Sequence, residues 1–101
     1  MAYLLGFHPG FISELEKAIL YYSSESGKLA EKFKIATRKQ LTGLKRNPHL
    51  RAVRYADVRF ARIEKFPYAI HYSIDDTRKE VYIYALLSDY QNPDSYHRKR
   101  W

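Results

Sequence analysis

A chain of 101 residues that is 46 % hydrophobic and 16 % aromatic has enough apolar side chain to fold as one packed domain, which argues against disorder. The absence of cysteine excludes disulfide frameworks, thiolate catalysis and cysteine-based metal sites. No segment approaches the roughly 18 apolar residues that a membrane span needs, and residues 1–7 lack the charged start of a signal peptide. We therefore expect one domain, residues 1–101, in a soluble cytoplasmic protein.

The formal net charge of +7 is concentrated in one part of the chain. Residues 28–65 contain twelve Lys or Arg and three acidic residues, whereas residues 1–27 carry a net charge of −2 and residues 66–101 are balanced. Such a field attracts a polyanion, or steers an acidic protein partner. The alternative is an ordinary solvated face of a lysine-rich helix.

The first half of the chain predicts a short strand at residues 3–7 and two helices at 9–26 and 28–46. Between them, Gly27 is suited to a left-handed helix cap, and Pro48 follows the end of the second helix. Apolar side chains recur at helical spacing in both helices: Phe11, Leu15, Ala18 and Tyr22 in the first; Ala30, Phe33, Leu41 and Leu44 in the second.

The second half changes to the alternation that is typical of strands. A strand begins at Val58, a second covers 68–74, residues 75–78 form a turn, and a nearly continuous apolar run over 81–87 predicts a third. The order β-α-α-β-β-β predicts an α+β fold, a mostly antiparallel sheet of about four strands with a helical hairpin on one face. The other face of the sheet is not covered by a predicted element and is available to a ligand or a partner. The core-facing side chains of the 68–74 strand are predicted to be Tyr68, Ile70, Tyr72 and Ile74.

His71 has the opposite phase from those four residues, so we expect it on the open face near Arg59 or Arg62. Histidine titrates near neutrality and is a candidate acid or base; the alternative is an exposed strand residue without a role. The pair Asp75-Asp76 is typical of a turn. Since no recognisable ligand spacing occurs, no metal and no cofactor are predicted.

Several segments, taken in order, resemble one known family. They are Phe7-His8-Pro9, the strand Phe66-Pro67-Tyr68-Ala69-Ile70, the run Val81-Tyr82-Ile83-Tyr84, and the tail Asn92-Pro93-Asp94-Ser95-Tyr96 with Arg98. Together they resemble the RelE/ParE superfamily of type II toxin–antitoxin toxins, which includes plasmid stabilisation proteins. The resemblance covers roughly the whole chain and implies a cognate antitoxin as partner.

The resemblance also implies site residues. Arg62 and Tyr96 match catalytic positions of the family's ribonucleases, whereas Ala69 stands where those enzymes have an arginine. The open face implies a further set of nucleic-acid-binding residues: Arg59, Lys65, His71, Tyr90 and Arg98. An arginine would stabilise the charge of the phosphorane, and a tyrosine near cations can transfer a proton.

Three functions follow from this resemblance. The first is a ribosome-associated mRNA endoribonuclease of reduced activity, because basic residues that could bind RNA remain, while Ala69 and either Tyr90 or Gln91 stand where the family has arginines. The second is a ParE-like inhibitor of a topoisomerase (gyrase) that acts by binding. The third is an inactive member whose role is to form a complex with its antitoxin.

Overall fold

The structure is a computed structural model that describes residues 2–89. Its elements in chain order are β1 (Leu4–Phe7), α1 (Pro9–Glu25), α2 (Gly27–Arg46), a short 3₁₀ turn (Pro48–Leu50), β2 (Val53–Tyr55), β3 (Val58–Arg62), β4 (Tyr68–Asp75) and β5 (Glu80–Ser88). The predicted α+β class and the order of the elements are confirmed. The short strand β2 is additional.

The described strands form one sheet in the order β1-β5-β4-β3-β2. β1 runs parallel to β5, and the other three neighbouring pairs are antiparallel. β5, predicted from its continuous apolar sequence to lie inside the sheet, has a neighbour on each side. β2 was not predicted, because a strand of three residues that pairs irregularly with β3 is too short to show an alternating pattern.

Side-chain caps fix the ends of the two helices. His8 Nδ1 accepts the backbone N–H of Gly10 at the start of α1, and the Ser26 hydroxyl accepts that of Leu29 at the start of α2. The prediction of a left-handed cap at Gly27 is wrong. Gly27 is the first residue of α2, and Ser26 makes the break between the helices in an extended conformation with φ −168°.

The core lies between the helical hairpin and one face of the sheet. Phe11 and Phe33 from the helices meet Ile70 and Tyr72 of β4, and all four are fully buried. Tyr68 and Ile74 pack against the same cluster, so the predicted core face of β4 is confirmed. His71 pairs with Phe60 and Ala85 on the opposite, open face, as its phase predicted.

Neither of the two long helices in the described part of the chain is apolar enough to cross a membrane.

Truncation of Phe33 tests this packing. Phe33→Ala is expected to lower the free energy of unfolding by about 3–5 kcal/mol because it opens a cavity in the core, and Leu41→Ala by about 2 kcal/mol because Leu41 is only half-buried. Ile35→Ala, on the exposed side of the same helix, is the control and should change stability by less than about 0.5 kcal/mol. Urea denaturation measures all three. Equal losses at Phe33 and Ile35 would contradict the orientation of α2.

Candidate functional site

A cavity of about 470 Å³ lies on the open face of the sheet, opposite the helices. Strands β2 to β5 and the segment between α2 and β2 all contribute to it. Its walls are formed by Arg51, Ala52, Arg54, Phe60, Arg62, Ala69, His71, Leu87, Ser88 and Asp89. Three of the four charged residues in this wall are arginines, so the cavity favours an anionic group.

His71 forms part of the floor of the cavity and is only 2 % exposed. The Phe60 ring covers it, with the ring centroids 3.9 Å apart and the planes inclined by 31°. The Tyr55 hydroxyl lies 3.4 Å from His71 Nδ1. His71 therefore occupies the predicted face, but aromatic side chains separate it from solvent.

Burial lowers the pKa of His71 from its ordinary value of 6.5 to about 4, because a protonated imidazole loses its hydration there. The negative charge of Glu14 acts in the opposite direction and only partly offsets this effect. Glu14 itself accepts the backbone N–H of Leu86 at 3.0 Å. At neutral pH the imidazole is uncharged, and it contributes no positive charge to the cavity.

Arg62 and Asp89 form a two-pronged ion pair at the mouth of the cavity. Arg62 Nη1 donates to Asp89 Oδ1 at 2.8 Å, and Nη2 donates to Oδ2 at 2.9 Å. The hydrogen bonds from Arg62 lower the pKa of the Asp89 carboxyl, which burial slightly opposes. The same bonds raise the pKa of Arg62. The positive charge of Arg62, which was predicted to stabilise a reacting phosphate, is thus neutralised by Asp89 of the same chain.

The segment that carries Arg51 is anchored from the core side of the sheet. The Tyr72 hydroxyl donates to the Pro48 carbonyl at 2.7 Å, and Arg59 Nη1 donates to the carbonyls of His49 and Arg51 at 3.3 and 2.6 Å. These hydrogen bonds, of which the one from Tyr72 is buried, fix the segment together with the buried ring of Pro48. They hold Arg51 at the edge of the cavity.

The structure brings together two of the seven residues predicted for the site, Arg62 and His71. Arg59 pairs with Tyr72 and lies on the helix-facing side of β3, where it holds backbone carbonyls. Lys65 lies in the β3–β4 turn with φ 70°, outside the cavity lining. The other three, Tyr90, Tyr96 and Arg98, lie outside the described residues.

Sequence reasoning missed Arg51, Arg54 and Asp89. Arg54 belongs to the unpredicted β2, and its guanidinium lies 5.3 Å from the centroid of the Phe60 ring. Asp89 could have been found from the register of the hairpins, since Arg62 pairs with Ala69 and Tyr68 pairs with Ser88. These pairings bring the residue after Ser88 next to Arg62.

The buried His71 makes the stability of the protein depend on pH. Its folded pKa, about 4, is lower than the 6.5 of the unfolded chain, so the unfolded state binds the extra proton as pH falls below 6.5. Between pH 7 and 5 the wild type should lose about 2 kcal/mol of unfolding free energy that His71→Gln does not lose.

Urea denaturation at both pH values measures this difference. His49→Gln is the control, because His49 is exposed, with its Nε2 3.0 Å from Asp76 Oδ2; this variant should keep the wild-type loss. Parallel pH profiles for the wild type and His71→Gln would show that His71 is not buried in its neutral form.

Among the solved structures similar to this fold are one toxin and two toxin–antitoxin systems. The chromosomal ParDE system of P. aeruginosa matches with a TM-score of 0.72 and 19 % identity, over 86 % of this chain and 96 % of that one. A mutant of the E. coli toxin RelE in the free state matches at 0.64 and 17 %, over 89 % and 86 %. The RelBE2 toxin–antitoxin complex from Mycobacterium tuberculosis matches at 0.55 and 22 %, over 87 % and 99 %. At these identities the likeness concerns the fold.

The curated proteins contain no match to the sequence. The model of the family described as the ParE toxin of the type II toxin–antitoxin system parDE matches residues 5–93, which is most of the chain. The match includes both helices, the walls of the cavity and the described strands, with β1 included from its second residue. The chain therefore belongs to the ParE toxin family, within the RelE/ParE superfamily of type II toxin–antitoxin toxins.

Proposed function

We propose that this toxin acts by binding a gyrase-type topoisomerase rather than by cleaving RNA. The observation that carries the proposal is the Arg62–Asp89 ion pair, in a chain that matches the ParE family. The arginine matched to a catalytic position already has a carboxylate on both of its outer nitrogens. A reacting phosphate would have to displace this carboxylate.

Proton transfer is also poorly served by the described part of the site. Cleavage through a 2′-hydroxyl needs a base that reaches the substrate and an acid for the leaving oxygen. His71 lies beneath Phe60 and Tyr55, so a bound ribose cannot reach it without moving those rings. Tyr68 and Tyr72 lie on the core face of β4, away from the cavity, and burial raises the pKa of both, whereas a tyrosine acting as a base at neutral pH needs a lowered one. A cavity of this kind is better suited to binding a partner protein than to catalysing the cleavage of RNA.

One observation favours the ribonuclease as a second candidate. Arg51, Arg54 and Arg62 converge on the same cavity from three different segments. Arginine bonds two phosphate oxygens at once, and a set of three is a common way to hold an RNA backbone. Tyr96 and Arg98, which this candidate needs, lie outside the described residues.

The two candidates separate in a paired assay of the purified wild type. We expect inhibition of DNA supercoiling by gyrase and intact mRNA on programmed ribosomes. The variant Arg62→Ala should leave the mRNA equally intact. If the toxin is instead a ribonuclease, the wild type cuts the mRNA and Arg62→Ala lowers cleavage about 100-fold or more, since losing one preorganised donor typically costs that much. Increased cleavage by Ala69→Arg would support the same conclusion against our proposal.

We further propose that a cognate antitoxin covers the basic stretch 28–65 with an acidic, amphipathic segment. The chain offers a groove of about 830 Å³ between α2 and the β3–β4 turn. Leu29, Ile35 and Phe66 give the groove an apolar floor, and Lys39 and Lys65 are among its charged residues. An amphipathic segment fills such a groove with its apolar face and pairs its acidic side chains with the rim.

Charge reversal tests the antitoxin proposal. After co-expression with the adjacent reading frame, the double variant Lys39→Glu/Lys65→Glu should bind the partner about tenfold more weakly than the wild type, because like charges then meet at the rim. Lys17→Glu, a reversal on α1 outside the basic stretch, is the control and should bind normally. Size exclusion and calorimetry at several salt concentrations measure this, and wild-type binding should weaken as salt rises. A protein that elutes alone at every salt concentration would overturn the proposal.

A further inference from the structure

Asp89 has a fixed position at the mouth of the cavity. Its backbone N–H donates to the Pro67 carbonyl at 2.9 Å, which ties the end of β5 to the start of β4. Arg62 at the end of β3 lies on the other side of Pro67 and bonds both carboxylate oxygens. The backbone of Asp89 is therefore held by one hydrogen bond to Pro67, and its carboxylate by the two hydrogen bonds from Arg62.

The geometry of this pair is the one that arginine uses for phosphate. Two parallel N–H···O bonds of 2.8 and 2.9 Å match the spacing of two oxygens on either a carboxylate or a phosphate group. A phosphodiester entering the cavity would seek the same two nitrogens. It would also meet the negative charge of Asp89 at close range.

We propose that Asp89 is a specificity-determining residue, which occupies the phosphate-binding position of the cavity and excludes phosphodiester ligands from it. This inference rests on the proposed function, because excluding nucleic acid from the cavity is an advantage for a toxin that acts on a protein. It concerns binding alone and needs no catalytic step.

The remaining charges of the cavity make the effect of Asp89 large. Within residues 2–89, neither Arg51 nor Arg54 forms an ion pair with an acidic side chain. Arg54 lies over the Phe60 ring, and Arg51 Nη2 donates to Gln40 Oε1 at a long 3.5 Å. Without the carboxylate, three arginines around one cavity would form an ordinary site for the phosphate of a nucleotide.

The test is the binding of a short oligodeoxythymidylate, labelled with fluorescein, to the purified full chain. This probe has no 2′-hydroxyl, so cleavage cannot contribute to the signal. Asp89→Asn keeps the shape and removes the charge, and it should bind the probe about tenfold more tightly than the wild type at low salt. The slope of log affinity against log salt should steepen by about 0.7, the value for one more phosphate contact on a single strand.

Two variants control for charge and for site. Glu31→Gln removes the same charge from an ion pair on α2, 3.1 Å from Lys34, and should bind like the wild type. Arg62→Ala combined with Asp89→Asn should lose the gain, because the phosphate then has no fork to bind. Asp89→Ser repeats the test with a shorter side chain, and circular dichroism with urea denaturation confirms that each variant is folded.

The inference is overturned if Asp89→Asn and Asp89→Ser bind the probe no more tightly than Glu31→Gln. It is also overturned if the gain persists in the double variant or leaves the salt slope unchanged, since the phosphate would then be bound elsewhere. Inhibition of gyrase by the wild type is measured separately. Its presence together with either result would remove this inference and leave the proposed function standing.

Discussion

The register of β4 decides which of its side chains face the core and which face the cavity, and the middle of this strand is buried on both faces. Ile70 and Tyr72 pack beneath the helices, while Ala69 and His71 are buried on the open face. A slip of one residue would send Ile70 and Tyr72 into the cavity and His71 into the core. The cost of moving the fully buried Ile70 and Tyr72 out of the core keeps the strand in its register.

Tyr72 connects the core to the cavity. Its ring is fully buried below the helices, and its hydroxyl donates to the Pro48 carbonyl just before the segment that carries Arg51. Arg59, which pairs with Tyr72 across the sheet, bonds two further carbonyls of the same segment. The segment that carries Arg51 is therefore fixed by hydrogen bonds from the core side of the sheet. Arg59 contributes by holding the backbone carbonyls of that segment.

The sequence allowed the helices and the three long strands to be predicted because their apolar spacing is regular and their packing follows from it. The face of His71 followed from its phase relative to Ile70 in the same way. Its burial did not follow, because that depends on Phe60 and Tyr55, which reach it through strand pairing across β3. Alternation along β3 puts Arg59 and Arg62, three residues apart, on opposite faces, but it does not show which of the two shares the face of His71. Both were predicted as site residues, and the structure places Arg62 at the cavity and Arg59 on the helix-facing side.

The basic field of residues 28–65 divides into two regions with different chemistry. The groove beside α2 combines Lys39 and Lys65 with an apolar floor, which suits a protein segment more than a nucleic acid backbone. At the mouth of the cavity on the open face the positive charge of Arg62 is neutralised, since Arg62 is bound to Asp89 there. Net charge and composition do not separate binding of RNA from binding of protein. The difference that we propose lies in Arg62, which meets an internal carboxylate through a contact between residues 27 positions apart in the chain.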